Sequence, residues 1–564
     1  MRCLIGSRWF ALCGSFLWIF CALLAAQEVS APVKIQVQSN QSEGVWQPIW
    51  NYFGYDEPNY TYAPNGQKLL TELAALSPVP VYIRTHNLFT SGDGSASLKW
   101  GSTNVYTEDA DGKPVYDWKI IDRIFDTYHA AGVKPLVELG FMPEALSTHP
   151  EPYRHNFPQG PIFTGWTYPP KDYQKWAELV FQFTKHLRER YGDAEVKTWL
   201  WEVWNEPDIP YWKGTQEEYF KLYDYSADAV KRALPGAQVG GPDATGPGSP
   251  KAIAFLRAFL DHCAHQQNYA TGKKGAPLDF VSFHPKGAPV FQNGHIVMGI
   301  SRQLGAIEQG FEIVKSFPEW ENTPVILGES DPEGCAACSP VTHPEDGYRN
   351  SSLYAAYTTE VFHQIQALTA RHHIQFKGAV TWAFEFEDQP YFAGHRALAT
   401  NGIDKPVLNA FRMFGLLRGD RLKVSSTGAV PTDEVLHSGV RGHADVNAIA
   451  TRDGKEISVL VWNYQDEEGA SGDAPVELSL TGLGDAETVE VEHFRVDGSH
   501  SNSFAAWNAM GYPQSPDKLE YGKLEAAGQL QLLTSPQWAH VENQGVRLKF
   551  DLPQEGLSLI RISW

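Results

Sequence analysis

The chain has 564 residues, 43% hydrophobic and 20% charged; that length suits two or more domains, and the balance excludes disordered, collagen-like and disulfide-dense classes. A formal net charge of −20 argues against a nucleic-acid partner, whose phosphates call for a basic surface, and against polybasic attachment to anionic lipid. Trp, Tyr and Phe make up 13% of the chain, which suits sugar-stacking platforms and large cores equally well.

At the N-terminus, Arg2 and Arg8 lead into an apolar run from Trp9 to Leu24 that ends in Ala25-Ala26-Gln27. This is the form of a secretory signal peptide, so residues 1–26 read as a leader and the mature chain as secreted or periplasmic. A retained anchor is the alternative; no later stretch is apolar enough to cross a bilayer. Cys3, Cys13 and Cys21 fall in the leader, which leaves Cys263, Cys335 and Cys338. An exported chain with three cysteines has at most one internal bridge, and Cys335-Ala-Ala-Cys338 is the expected pair. No second CxxC supplies the further ligands that a zinc site would need.

Residues 27–44 form an N-terminal segment in which Lys34–Val37 could add a strand to a later β domain. From about 45 to 419, short apolar strands alternate with helical patterns. The strands are expected at Pro48–Phe53, Val79–Arg84, Lys134–Leu139, Thr198–Trp204, Gln238–Gly241, Asp279–His284, Pro324–Glu329 and Gly378–Phe384. Helical spacing is clear in Tyr173–Tyr191, where Trp176, Leu179, Val180, Phe183 and Leu187 share a face, and in Glu217–Leu234 and Ser301–Phe317. Eight apolar strands alternating with helices indicate an α/β fold, a (β/α)8 TIM barrel. An open doubly wound sheet is the runner-up, but Tyr52-Phe53-Gly54-Tyr55-Asp56 stands where its Gly-rich phosphate turn would be. From 420 to 564 the pattern changes to short β-type runs (Ile457–Trp462, Val476–Leu480, Thr488–Arg495, Gln529–Leu533, Leu557–Ile562) separated by Gly, Pro and Asp turns, an accessory all-β sandwich domain.

A barrel carries its chemistry at the C-terminal ends of its strands. Strand two ends in Arg84-Thr85-His86-Asn87, strand four in Trp204-Asn205-Glu206-Pro207-Asp208, strand six in Phe283-His284-Pro285-Lys286, strand seven in Gly328-Glu329-Ser330 and strand eight in Trp382-Ala383-Phe384-Glu385. Glu206 and Glu329 thus face each other across the barrel mouth. Such a pair is what glycosidic cleavage needs: one acid protonates the leaving oxygen while the other attacks, or activates water at, the anomeric carbon. Asn205 beside the acid can hydrogen-bond the sugar 2-hydroxyl as the transition state forms. The chemistry needs no cofactor, and no metal-ligand cluster is apparent.

These strand ends, with Phe386-Glu387-Asp388 and Gly402-Ile403-Asp404-Lys405-Pro406 farther along, resemble glycoside hydrolase family 39, a clan A family of retaining β-xylosidases and α-L-iduronidases. The resemblance covers about residues 45–420 and extends loosely to the β domain. It implies that Glu206 is the general acid/base and Glu329 the nucleophile, with carboxyl groups about 5–5.5 Å apart, Glu206 protonated at the start and Glu329 kept ionised by Arg84. It also implies that His86 and His284 bind sugar hydroxyls, that Trp382 forms the floor or wall of the first subsite, and that Glu387 contacts the sugar. Asp208 reads as no more than a turn cap.

The chain departs from the family pattern at two places. Many members carry His-x-Tyr after strand six, where this chain has His284-Pro285-Lys286; an inward Lys286 would hold Glu329 ionised by charge, whereas an outward one would leave that role vacant. Asp331–Cys338 replaces the usual Trp-Asn type sequence after the nucleophile. The expected activity is a retaining exo-glycosidase acting on oligosaccharides of xylan, most specifically a β-D-xylosidase. A β-glucosidase, an arabinose- or galactose-releasing enzyme, an endo-glycanase and a non-catalytic carbohydrate-binding protein stay open, and the oligomeric state is not legible.

Overall fold

The computed structural model describes residues 31–564 apart from 77, 97, 99, 100, 158, 159, 383 and 471. The expected leader, with its three cysteines, lies outside the described residues.

Eight parallel strands close into a barrel in sequential order: β1 (Tyr52–Tyr55), β2 (Tyr82–Thr85), β3 (Lys134–Leu139), β4 (Leu200–Val203), β5 (Gln238–Thr245), β6 (Phe280–His284), β7 (Val325–Leu327) and β8 (Phe376–Trp382). Each is followed by a helix: α1 (Pro64–Ala75), α2 (Lys119–Ala131), α3 (Tyr173–Tyr191), α4 (Gln216–Ala233), α5 (Pro250–His265), α6 (Ile300–Lys315), α7 (Ser352–His372) and α8 (Pro406–Gly415). Strands one and two begin later than the apolar runs suggest, although Ile49, Asn51 and Val81 already accept backbone hydrogen bonds from Ala379, Tyr82 and Lys134 at 2.9, 2.9 and 2.8 Å. At the other end β5 runs on to Thr245 past Gly240-Gly241-Pro242.

Alternation along the strands builds the interior in layers. Tyr52, Leu136, Leu200, Phe280, Ile326 and Val380 point inward and form a closed apolar plug. Their neighbours, among them Phe53, Val137, Trp201, Val281 and Leu327, point outward into the helix-facing core. Two residues farther along the strands, the same inward positions are Gly54, Arg84, Glu138, Glu202 and Trp382. The barrel therefore changes from apolar to charged in one step of its pleat. Two residues farther again stand Asp56, His86 and His284.

After the barrel come β9 (Asp420–Ser426), β10 (Asp445–Asp453), β11 (Glu456–Tyr464), β12 (Ala474–Thr481), β13 (Thr488–Val496), β14 (Gln531–His540), β15 (Gly545–Leu552) and β16 (Leu557–Ser563). With the N-terminal strand Val33–Val45 they form one hydrogen-bonded ladder, ordered β14-β13-β16-β11-β10-β9-(33–45)-β12-β15. Val33–Val45 runs antiparallel to β9 and parallel to β12. Both halves of the ladder bury one face in a common core: Ile457, Val459 and Val461 of β11 join Val476, Leu478 and Leu480 of β12. The alternate residues Leu460, Trp462 and Tyr464 pack into the barrel's helical core instead. Period-two patterning thus sews sheet and barrel together. Helices α9 (Ser503–Ala509) and α10 (Lys518–Gly528), unexpected from the sequence, lie between β13 and β14 and pack through Trp507 and Leu524 on Phe392 and Ile403.

Candidate active site

The pair of acids stands at the barrel mouth. Glu206 follows β4, in a turn where Trp204 (φ 74°) and Glu206 (φ 45°) both hold left-handed backbone conformations, a cost that persists only where surrounding contacts fix it. Here Trp204 N–H donates to the Leu139 carbonyl at 3.2 Å and Glu206 N–H to the Asp243 carbonyl at 2.9 Å. Glu329 lies two residues past β7. One oxygen from each carboxylate and a ring nitrogen of His284 lie within 4.8 Å of one another.

Glu329 is held by cations on both oxygens. Arg84 Nη1 donates to Oε1 at 3.1 Å, and Lys286 Nζ to Oε2 at 2.6 Å. Burial alone would raise this carboxyl; the charges of Lys286, His284 and Arg84 and a hydrogen bond from His86 outweigh it and hold Glu329 well below the usual carboxylate range. Lys286 therefore points inward, and it also pairs with Asp331. The backbone reinforces that posture, since Gly287 N–H donates to the Asp331 carbonyl at 3.0 Å.

Arg84 is fully buried and organises the charged layer. Its guanidinium donates closely to Glu202 and Asp243 and lies 3.1 Å from Glu138. Nη2 also donates to Asn205 Oδ1 at 3.1 Å. Because arginine only donates, this contact fixes the amide so that its NH2 group faces the other way, free to donate to a sugar hydroxyl. Burial and the neighbouring anions Asp243 and Glu138 keep Glu202 protonated, and it shares its proton with Asp243, which stays ionised against Arg84 and His284.

The two histidines serve the carboxylates. His284 Nδ1 donates to Glu206 Oε1 at 3.1 Å and its Nε2 lies 2.9 Å from Asp243; burial opposes its charge, but Asp243 and Glu329 push it up to about 10. His86 sets Nδ1 3.0 Å from Asp56 and Nε2 3.2 Å from Glu138 and 3.6 Å from Glu329. Both nitrogens of each ring are engaged within the site, Nε2 of His86 also lying 3.1 Å from the donor Arg84 Nη1, so the structure does not offer them to sugar hydroxyls as the resemblance implied. Trp382 is only 3% exposed, with its ring 4.3 Å from His86 and 4.8 Å from the Arg84 guanidinium. Its place is inside the wall of the site rather than on an open stacking floor.

Glu387 does not join the group. Its carboxylate accepts from Asn65 Nδ2 at 3.1 Å and Gly66 N–H at 3.3 Å, at the N-terminus of α1, where an anion offsets the helix dipole. Asp208 accepts from the backbone and hydroxyl of Thr245 and so ties the β4 loop to β5. Cys335 and Cys338 are bridged. Their loop is gathered by Arg349, which donates to the carbonyls of Cys335 and Cys338 at 2.7 and 2.6 Å, and Arg396 joins it to Glu333 at 2.6 Å and Asp331 at 3.3 Å.

Sequence reasoning missed Asp56, Glu138, Glu202, Asp243, Asp331 and Arg396. For Glu138 in β3 and Glu202 in β4 the signal was available as two-residue steps down from the strand ends. Among the described residues, Glu206, His284 and Glu329 are the one group whose ligating atoms converge as a metal site would require. Both oxygens of Glu329 already take cationic side chains, Arg84 and Lys286, which a bound cation would have to displace.

A closed parallel barrel with two acids at the ends of its fourth and seventh strands defines a clan A type glycosidase scaffold. Comparison with known proteins makes this specific: the model of glycosyl hydrolases family 39 matches residues 33–539, and the chain belongs to that family. It is 30% identical to a β-xylosidase of Geobacillus stearothermophilus over 464 residues, 79% of each chain. It is 27% identical to an α-L-iduronidase of Mus musculus over 376 residues, 62% of this chain and 56% of that one. A solved bacterial orthologue of human α-L-iduronidase superposes with a TM-score of 0.76 at 18% identity, covering 94% of this chain and 84% of the other. The protein is a hydrolase of O-glycosyl compounds.

Proposed function

We propose that the chain is a retaining exo-glycosidase releasing xylose from β-D-xylosides by double displacement. The observation that carries this reading is the Glu206–Glu329 pair, whose oxygens approach within 4.8 Å, the spacing of direct attack rather than of an interposed water. Glu329, pinned by Arg84 and Lys286, attacks the anomeric carbon. Glu206, with Oε1 steadied by His284, delivers a proton from its other oxygen to the leaving group. Once Glu329 is esterified its charge is gone, and Glu206 takes a proton from water to release the sugar. Asn205 donates its oriented amide to the 2-hydroxyl. The kinship with β-xylosidases supports the glycone, xylan fragments being the matching natural substrates. The apolar, arginine-led N-terminus and the bridged Cys335–Cys338 pair support an enzyme working outside the cytoplasm.

Lys286 favours a second reading. An ammonium beside the nucleophile, partly open to the pocket with a side chain 16% exposed, suits a glycone that carries a carboxylate, and iduronidases are among the relatives. A panel of nitrophenyl and umbelliferyl glycosides separates the two. Turnover of the β-D-xyloside with the α-L-iduronide untouched supports the first reading; the reverse supports the second. Inertness toward every glycoside overturns both.

A further inference from the structure

Lys286 is held by two carboxylates from a single strand exit, Glu329 and Asp331, and they are fastened differently. Nζ lies 2.6 Å from Glu329 Oε2 and also donates to Asp331 Oδ2. Asp331 is 1% exposed. Its Oδ1 accepts from Trp382 N–H, at the end of β8, at 2.9 Å, and Arg396 lies 3.3 Å from Oδ2. Arg396 is fixed in turn, donating to the Trp382 carbonyl at 3.0 Å and to Glu333 at 2.6 Å. The β6 and β7 exits are also joined through their backbones. Gly287 N–H donates to the Asp331 carbonyl at 3.0 Å, and a Cβ on Gly287 would come within 2.5 Å of the Pro332 carbonyl oxygen. None of these contacts involves Glu329, so the seat of Asp331 does not depend on the charge of its neighbour.

Double displacement changes that charge. When Glu329 bonds to the anomeric carbon it becomes a neutral ester. An ammonium on a flexible stem, paired with Glu329 alone, would then be left in the wall of the site without a counter-charge. We propose that Asp331 is a positioning residue, which keeps Lys286 at Glu329 while the nucleophile is esterified. The inference rests on the reading of Glu329 as nucleophile. In the second step water attacks the anomeric carbon, and the C–O bond to Glu329 breaks with its electron pair returning to the carboxylate. Glu206 takes the proton from the water. Negative charge thus reappears on Glu329, and an ammonium already in place stabilises it without rearrangement. Burial raises the Asp331 carboxyl against Arg396 and Lys286, and the Glu329 charge adds to that rise. Esterification removes this last influence, so Asp331 is the firmer anion when Lys286 needs it most.

The test is Asp331→Asn, which keeps the shape and an acceptor for Trp382 N–H but turns an NH2 group toward Lys286. In the free variant the charge of Glu329 still attracts Lys286, so the first step is little affected and the loss falls on the second. The substrate is an aryl glycoside with a good leaving group, of whichever sugar the enzyme turns over. The expected result is a fall in kcat on the order of tenfold or more, with KM falling alongside so that kcat/KM stays within about threefold. Stopped-flow traces should show a burst of one phenol per enzyme before the slow steady state. A wild-type kcat, or equal falls in kcat and kcat/KM, overturns the proposal. Should Asp331→Asn not fold, the crystal structure of the wild-type enzyme trapped with a 2-deoxy-2-fluoroglycosyl group decides the matter. Lys286 should remain within hydrogen-bond reach of both Asp331 and the ester, and a lysine swung away overturns the proposal. A wrong nucleophile would show itself separately, as a trapped sugar on a residue other than Glu329.

Discussion

Four basic side chains, Arg84, Lys286, His284 and His86, surround one carboxylate, and the two strongest cations differ in what each supplies. Arg84 is locked by four carboxyl groups and contributes fixed geometry, whereas Lys286 stands on a flexible stem and contributes charge that a substitution can remove. Lysine 2.6 Å from Oε2 is the foremost influence keeping Glu329 ionised. The sign follows directly: removing it raises the Glu329 carboxyl, so that the nucleophile protonates sooner as pH falls. Lys286→Met should move the acid limb of kcat/KM upward by about one to two pH units, while activity on a good leaving group at alkaline pH falls less. A pH profile checks this, and an acid limb that stays in place would mean that Lys286 does not hold the nucleophile ionised. At this scale the two glutamates were legible because Asn205-Glu206-Pro207 and Gly328-Glu329 lie at strand ends. The supporting acids were not. Glu138 and Glu202 lie inside runs that read as ordinary apolar strands, Lys134–Leu139 and Thr198–Trp204, and only a count of inward positions separates them from their neighbours.

At the scale of elements, the barrel was legible because strand and helix periods alternate eight times, and α3 falls where its apolar stripe places it. The inner layers explain why glycine stands at two inward positions. Gly54 leaves room for the Trp382 ring, and Gly328, just past β7, has no side chain because a Cβ there would overlap the Asp243 carboxylate. Gly328→Ala should therefore displace Asp243 from Arg84 and His284, lowering kcat by on the order of a hundredfold and destabilising the fold by about 1–3 kcal/mol. Steady-state kinetics and denaturant unfolding would measure the two losses. Wild-type values for both would mean that the layer is looser than its packing implies. Helix α10 escaped the sequence reading for a physical reason. Its capping box, Asp517 with Glu520, is present, but within the helix only Leu524 and Gly528 are buried, so the apolar stripe that normally signals a helix is missing. β9, β10 and β15 were overlooked although the period-two signal was available: in β15 Val546, Leu548, Phe550 and Leu552 alternate with Arg547, Lys549 and Asp551.

For the whole molecule, the question is what fastens sheet to barrel. Trp462 of β11 points its indole N–H at two acids at once, Glu360 of α7 at 2.7 Å and Asp445 of β10 at 3.1 Å. Burial and the proximity of Asp445 push the Glu360 carboxyl well up, so the two acids share a proton across the interface. A carboxyl raised in the folded state contributes stability that is present below its unfolded value near 4 and is lost as pH rises through the folded value. Glu360→Gln, which cannot ionise, should raise the melting temperature at pH 8 by several degrees and change it little at pH 4–5. Calorimetry at the two pH values checks this; a destabilised variant at pH 8 would show that no proton is shared.

That Glu329 becomes covalently bound to the sugar is open to one direct measurement. The enzyme is incubated with a 2-deoxy-2-fluoro derivative of whichever aryl glycoside it turns over, and intact and peptide masses are recorded. The expected result is an increase of one fluoroglycosyl unit, carried by the peptide containing Glu329. An adduct on Glu206 or elsewhere, or inactivation without any adduct, would contradict double displacement at Glu329.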